Sequence, residues 1–208
     1  MSADRGPLVR RGIRLNYLTI GYNTVEAVVS LAAGIVAGSV ALVSFGIDSA
    51  IEVTAAGAAQ FRLRADEDPL RRERAELWTH RLIGASFLVL AGYVVIEASR
   101  SLLLRDPPES SRVGVTLLAL SVIVMPILAR AKRKVAIGLG SGALAADAAQ
   151  TSLCAYLSVI ALAGVGLNAI FGWWWADPVA AMAMVPIIVK EGVEGVRARS
   201  SCAGCGEI

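Results

Sequence analysis

The sequence predicts an all-α polytopic membrane protein of six transmembrane helices with both termini cytoplasmic. Three observations lead there. Apolar residues make up 56% of the 208-residue chain and charged residues only 18%, against about 45–50% and about 25% in ordinary soluble domains. The apolar residues are gathered into long runs, each able to supply the ~20 residues that a helix needs to cross the hydrocarbon. Basic residues, finally, concentrate in alternate connections, which sets a direction.

The predicted spans are 14–37, 39–61, 80–103, 112–130, 136–165 and 173–195. "AGS" at 37–39 allows only a tight hairpin between the first two, and "RDPPESS" at 105–111 separates the third and fourth through two prolines and turn formers. The fifth is overlong and glycine-rich, so it either begins as an interfacial turn or continues past the membrane surface. "WWW" at 173–175 suits the headgroup belt that opens the sixth, where Asp177 followed by Pro178 is expected to cap a helix start.

Arg5, Arg10, Arg11 and Arg14 precede the first span, and Arg62, Arg64, Arg71, Arg72, Arg74 and Arg81 lie between the second and third. "RAKRK" (130–134) falls between the fourth and fifth, and Lys190, Arg197 and Arg199 stand at the C-terminal end. These four segments share one side, and the other side holds only Arg100, Arg105 and Arg112. The basic side is expected to be the cytoplasm. The organisation is then a cytoplasmic N-terminal segment (1–13), a membrane domain (14–196) and a short cytoplasmic tail (197–208).

The polar "MSADRGPLVRRGIR" start and the long first run do not resemble a cleaved signal. The net charge of +3 reflects orientation, and no basic cluster is interleaved with aromatics as a nucleic-acid surface would be. Three cysteines are too few for a disulfide framework.

Ionisable groups inside the runs are costly, about 2.5–3.5 kcal/mol each on insertion scales, and so point to function. Asp48 and Glu52, four residues apart, project from one helix face. Like charges so close repel, and one is expected to hold a proton unless a cation sits between them. The fifth span carries a second polar stripe in Asp147, Gln150 and Cys154. After "AL" at 41–42, Asp48 and Glu52 follow by six and ten residues; after "AL" at 143–144, Gln150 and Cys154 do the same. Two helices each offering an i, i+4 pair can supply four tetrahedral ligands. Two carboxylates and a thiolate suit a borderline divalent ion such as Zn²⁺ better than Mg²⁺ or Ca²⁺. Gln150 is a poor ligand for such an ion, so Asp147 or water is an alternative fourth donor.

Asn23 and Glu26 in the first span are secondary candidates, with Glu26 lining the same path or pairing with a cation at a helix end. Cys202 and Cys205 form a CxxC in the tail, the spacing of half a zinc site or of a redox pair. His80, at the start of the third span, reads as an interfacial residue.

The chain resembles the cation diffusion facilitator family of divalent-metal exporters in its six-helix membrane part. The resemblance rests on "GSVALVSFGIDSAIE", "RRERAELWTHRLIGASF", "SGALAADAAQTSLCAYLS" and "WWWADPVAAMAM", which occur in the family's order. It implies a transport site of Asp48 and Glu52 on the second helix with Gln150 and Cys154 on the fifth, taking a divalent metal outward against protons by alternating access. Gln150 and Cys154 stand where the family usually has His and Asp. The family's cytoplasmic C-terminal domain has no counterpart, so a truncated, divergent branch is expected.

The expected function is therefore efflux of a divalent cation, zinc foremost, by a non-enzymatic multi-pass protein of the cell membrane. Its partners are the metal ion, the proton, the lipid bilayer and a second copy in a homodimer; no cofactor is expected beyond the transported metal. A membrane metal sensor without transport is the alternative. A thiol oxidoreductase built on Cys202 and Cys205 lacks a second dithiol or quinone-type site in the sequence.

Overall fold

The computed structural model describes residues 5–64, 69–105, 107–139 and 142–197. They form six α-helices: α1 (Arg5–Ala37), α2 (Val40–Arg64), α3 (Pro69–Leu104), α4 (Arg112–Leu139), α5 (Gly142–Phe171) and α6 (Ala176–Arg197). Helix is what hydrocarbon demands, because each peptide group must find its partner within its own segment. This is an all-α polytopic membrane protein. Five of the helices are long and apolar enough to cross a bilayer. The sixth, α6, carries Asp177, Lys190, Glu191, Glu194 and Arg197 within 22 residues and lacks so long an apolar stretch. It packs along α3 and against α5 and α2.

Burial is distributed unequally. In α2, 67% of the apolar stretch is buried, against 28–39% in the other four spans. α2 is the inner helix, touching α1, α3, α5 and α6. The remaining helices turn Val25, Val28, Val89, Ile96, Ile123 and Ile127 outward, a surface too apolar for water and suited to acyl chains. Between helices, burial of apolar area no longer discriminates, since lipid is as apolar as leucine, so close packing of small residues takes over. The α3–α6 contact shows this: a Cβ on Gly84 would lie 2.5 Å from the Val196 nitrogen and 2.7 Å from the Gly192 carbonyl oxygen.

The hairpin between α1 and α2 is as tight as expected. Gly38 takes a left-handed φ of 66°, and the Ser39 amide closes back on the Gly34 carbonyl at 2.9 Å. Asp177 acts as a cap, but the start it serves is that of α2. It accepts from Ser39 Oγ at 2.5 Å and from the amides of Val40 and Ala41 at 2.9 and 3.4 Å. One carboxylate thus ties the first turn of α6 to the start of the inner helix.

Most helix ends extend past the predicted spans, but α2, α5 and α6 begin one, six and three residues later than predicted. α1 begins nine residues before residue 14 and α3 eleven before residue 80, taking His80 into the helix. The "RAKRK" segment, expected as a connection, is the penultimate turn of α4, and the expected 136–165 run is divided between the end of α4 and α5. Hydropathy marks the lipid slab, whereas a helix continues until something breaks it. Ala, Arg and Lys are good helix formers, and Pro69 sits at the very start of α3, the one place where its missing N–H costs nothing. Cys202 and Cys205 lie outside the described residues.

Candidate functional site

Four helices turn polar stripes toward a common interior. α1 contributes Asn16, Thr19, Asn23, Glu26 and Ser30, each at most 1% exposed, at intervals of three and four that keep them on one face. α2 contributes Asp48, Ser49 and Glu52, α4 Ser121 and Lys132, and α5 Asp147, Thr151, Cys154 and Ser158. All are buried, in helices whose outer faces are apolar.

The centre is Cys154. Its thiol lies 3.8 Å from Glu26 Oε2 and faces both Asp48 and Glu52. Three carboxylates from two helices therefore surround one sulfur from a third. Glu26 is held by hydroxyls: Ser49 donates to its Oε2 at 2.8 Å, and Ser121 donates to Oε1. Tyr22 completes the chain by hydrogen bonding to Ser121 at 2.9 Å.

Below this layer lies a second. Thr151 Oγ1 donates to Glu52 Oε1 at 2.6 Å and accepts from Lys132 Nζ at 2.9 Å. Lys132 also sits 2.9 Å from Asp147 Oδ2, an ion pair whose angle falls short of a hydrogen bond. Further along, Asn16 Nδ2 donates to the Ala56 carbonyl and to Gln60 Oε1, closing the stripe between α1 and α2.

Several polar atoms in this interior have no protein partner among the described residues. They include Asp48 Oδ2, Glu52 Oε2, Asp147 Oδ1 and both amide atoms of Asn23. Buried polar atoms are nearly always paired, and one that is not calls for an explanation such as an ion or water. The carboxyl oxygens and the thiol are the right donors for a divalent cation of borderline softness. They are not a preassembled cage: among the described residues, no three His, Cys, Asp or Glu side chains stand close enough to hold a metal as they are.

The structure thus brings together Asp48, Glu52, Cys154 and Glu26, with Asp147 one layer away beside Lys132. Gln150 is only half-buried, and no described hydrogen bond joins it to the carboxylates. Its neighbour Thr151 is the residue that faces Glu52. Asn23 is fully buried on the Glu26 face of α1.

Thr151, Ser121 and Lys132 were not singled out in the sequence. Thr151 lies one turn from Asp147 and could have been found by that spacing. Lys132 could have been found by continuing the α4 stripe of Leu118, Ser121, Met125 and Ala129 through the basic run, where nothing breaks a helix.

Residues 17–201 match the family model described as the cation efflux transmembrane domain. The chain is also similar to a curated protein of Synechocystis sp. described as an uncharacterized transporter. They are 31% identical over 175 residues, which is 79% of this chain and 55% of that protein. The chain spans about half the length of that relative. The family match covers α2 to α6 and α1 from residue 17 onward, including the stripes that carry Asp48, Glu52 and Cys154. The chain belongs to the cation efflux transmembrane-domain family.

Proposed function

We propose that this chain moves a divalent cation, zinc foremost, from the cytoplasm outward across the membrane in exchange for protons. The observation that carries the reading is the convergence of Asp48, Glu52 and Cys154 from α2 and α5 in the buried interior of a lipid-facing bundle. Asp48 Oδ2 and Glu52 Oε2 are there without protein donors. Glu26 is adjacent as a third carboxylate, and Asp147 or Gln150 is a further candidate donor. The ligands are scattered rather than caged, which suits a cargo: a transport site must bind well enough to load and loosely enough to release.

Binding requires deprotonated ligands, so cation entry displaces protons from the carboxyls and the thiol. That provides the exchange. Rocking of helix groups about the inner helix would then open the site to the opposite face, as midplane sites in transporters generally require. The family and the similarity to a transporter support cation movement in general; the thiol among carboxylates is the argument for zinc. A homodimer in the cell membrane, with basic segments facing the cytoplasm, belongs to the same reading.

The test is flux in proteoliposomes loaded with a pH-sensitive dye. Zn²⁺ added outside should drive proton movement for the wild-type chain, and Asp48→Ala should lower it to the level of protein-free vesicles. Undiminished proton movement with that variant would remove the assigned site.

A further inference from the structure

Lys132 is the one basic side chain that is buried among the described residues, at 1% exposure. Its neighbours in the same run, Arg130, Arg133 and Lys134, are exposed. Lysines near helix ends ordinarily snorkel toward water. This one points inward, from the face of α4 that also carries Ser121, Met125 and Ala129.

Its partners define what it does there. The ammonium sits 2.9 Å from Asp147 Oδ2 and donates to Thr151 Oγ1 at 2.9 Å. Thr151 has a single hydroxyl proton. With a lysine N–H already directed at its oxygen, that proton goes to Glu52 Oε1 at 2.6 Å. The lysine charge also acts on Glu52 through space. One cation therefore serves two carboxylates on different helices and reaches one oxygen of each. Asp147 Oδ1 and Glu52 Oε2 keep no partner, and Asp48 and Glu26 add two more carboxyls nearby. Two acids share one base, and two more lie in the adjoining layer around Cys154.

Stability alone is a poor reason for this arrangement. A buried ion pair roughly offsets its own desolvation, and a packed apolar pair would do as well. We infer that Lys132 is a tethered cation that holds the Glu52–Asp147 side of the acid cluster when no ion is loaded and competes with an arriving divalent ion for it. This rests on the reading of the cluster as a cation site. A divalent ion at Glu52 and the ammonium one hydroxyl away repel each other strongly in a poorly screened interior. Loading must push the lysine toward Asp147, and release lets it return. Lys132 thereby weakens binding, favours unloading, and keeps the emptied acids from repelling one another.

The experiment is equilibrium titration of the purified full-length chain in detergent with Zn²⁺ and, separately, Cd²⁺, alongside thermal unfolding with and without metal. Lys132→Gln keeps a donor for Thr151 but removes the charge; it should bind Zn²⁺ about tenfold more tightly, within the ordinary range of site-to-site coupling. Lys132→Arg keeps the charge and should bind within a fewfold of wild type. Lys132→Gln should also melt lower than wild type without metal and regain its midpoint with Zn²⁺.

A Lys132→Gln protein that folds only when Zn²⁺ is present supports the inference, because metal then replaces the lost charge. One that binds with wild-type affinity, or fails to fold with metal and without it, overturns the inference and leaves Lys132 as a structural ion pair. Asp48→Ala in the same titration keeps the two readings apart. If it abolishes binding while Lys132→Gln changes nothing, cation binding at the cluster stands and the tethered cation falls. Failure of the wild-type chain to bind either metal overturns both.

Discussion

At the scale of the residue, the proposed ion preference turns on Cys154. It is a sulfur set among oxygens, 3.8 Å from Glu26 and facing Asp48 and Glu52. Thiolate favours softer ions, whereas an all-oxygen set suits Mn²⁺. Cys154→Ser is therefore expected to lower the ratio of Cd²⁺ to Mn²⁺ affinity; each 1.4 kcal/mol of lost preference appears as roughly a tenfold fall in that ratio. Competition titration measures it, and an unchanged ratio would show that the sulfur does not touch the ion. The carboxylates of this site were legible in the sequence because a charge in an apolar run is costly and therefore conspicuous. The hydroxyls were not. Thr151 and Ser121 also lie within reach of carbonyls one turn back in their own helices, those of Asp147 and Leu117. A Ser or Thr in a membrane helix can always be satisfied locally, so its presence in the sequence says nothing of the partner it takes. Gln150 follows from an "AL" register that tracks distance along the chain, and the rotation of about 100° between Gln150 and Thr151 decides which side chain meets Glu52.

At the scale of the element, the inner position of α2 rests on how closely its neighbours and their partners can pack. The α3–α6 pair encloses it on one side through backbone contact at Gly84. A methyl there meets Val196, Gly192 and Gly195 backbone atoms at 2.5–2.8 Å, and backbone cannot rotate aside. Gly84→Ala should destabilise by about 1–3 kcal/mol, the usual cost of overpacking. Gly92, on the same helix, has nothing within 4 Å of an added Cβ, and Gly92→Ala should be neutral or stabilising by roughly 0.5–1 kcal/mol. Thermal unfolding in detergent compares the two, and equal effects would contradict the packing account. The extension of α4 through "RAKRK" belongs to the same scale. Four basic residues in five read as a solvated connection when judged by charge. Judged by helix propensity they continue the helix, and continuation is what brings Lys132 around to Asp147.

At the scale of the whole molecule, six helices with apolar outer faces and a polar interior place the two ends of α4 on opposite sides of the bilayer. Cysteines introduced at Glu109, just before α4, and at Arg133, near its other end, test this on a background lacking Cys202 and Cys205. Both positions are exposed. A membrane-impermeant maleimide on intact cells should label Glu109→Cys, and Arg133→Cys only after permeabilisation. Labelling of both from outside would refute the crossing, and the reverse pattern would invert the expected orientation. Were α6 to cross along with the five apolar helices, the N-terminal Arg-rich segment and the end of α6 would lie on one side, in line with the distribution of basic residues. The family match spans this whole arrangement rather than one motif of it.

The sequence by itself determined the class of structure, the order of the helices, the hairpin at Gly38 and the presence of Asp48, Glu52 and Cys154 inside apolar runs. Those follow from local quantities: length of apolar runs, the shortness of the "AGS" connection, and the cost of ionisable groups in hydrocarbon. Only the tertiary structure decided that Asp177 caps α2, that Thr151 rather than Gln150 faces Glu52, that Glu26 joins the thiol, and that Lys132 enters the acid cluster. Each of these is set by the rotation of one helix about its axis relative to another. In lipid that rotation is fixed by small-residue packing and polar pairing between segments far apart in the chain, which no periodicity within a single segment can specify.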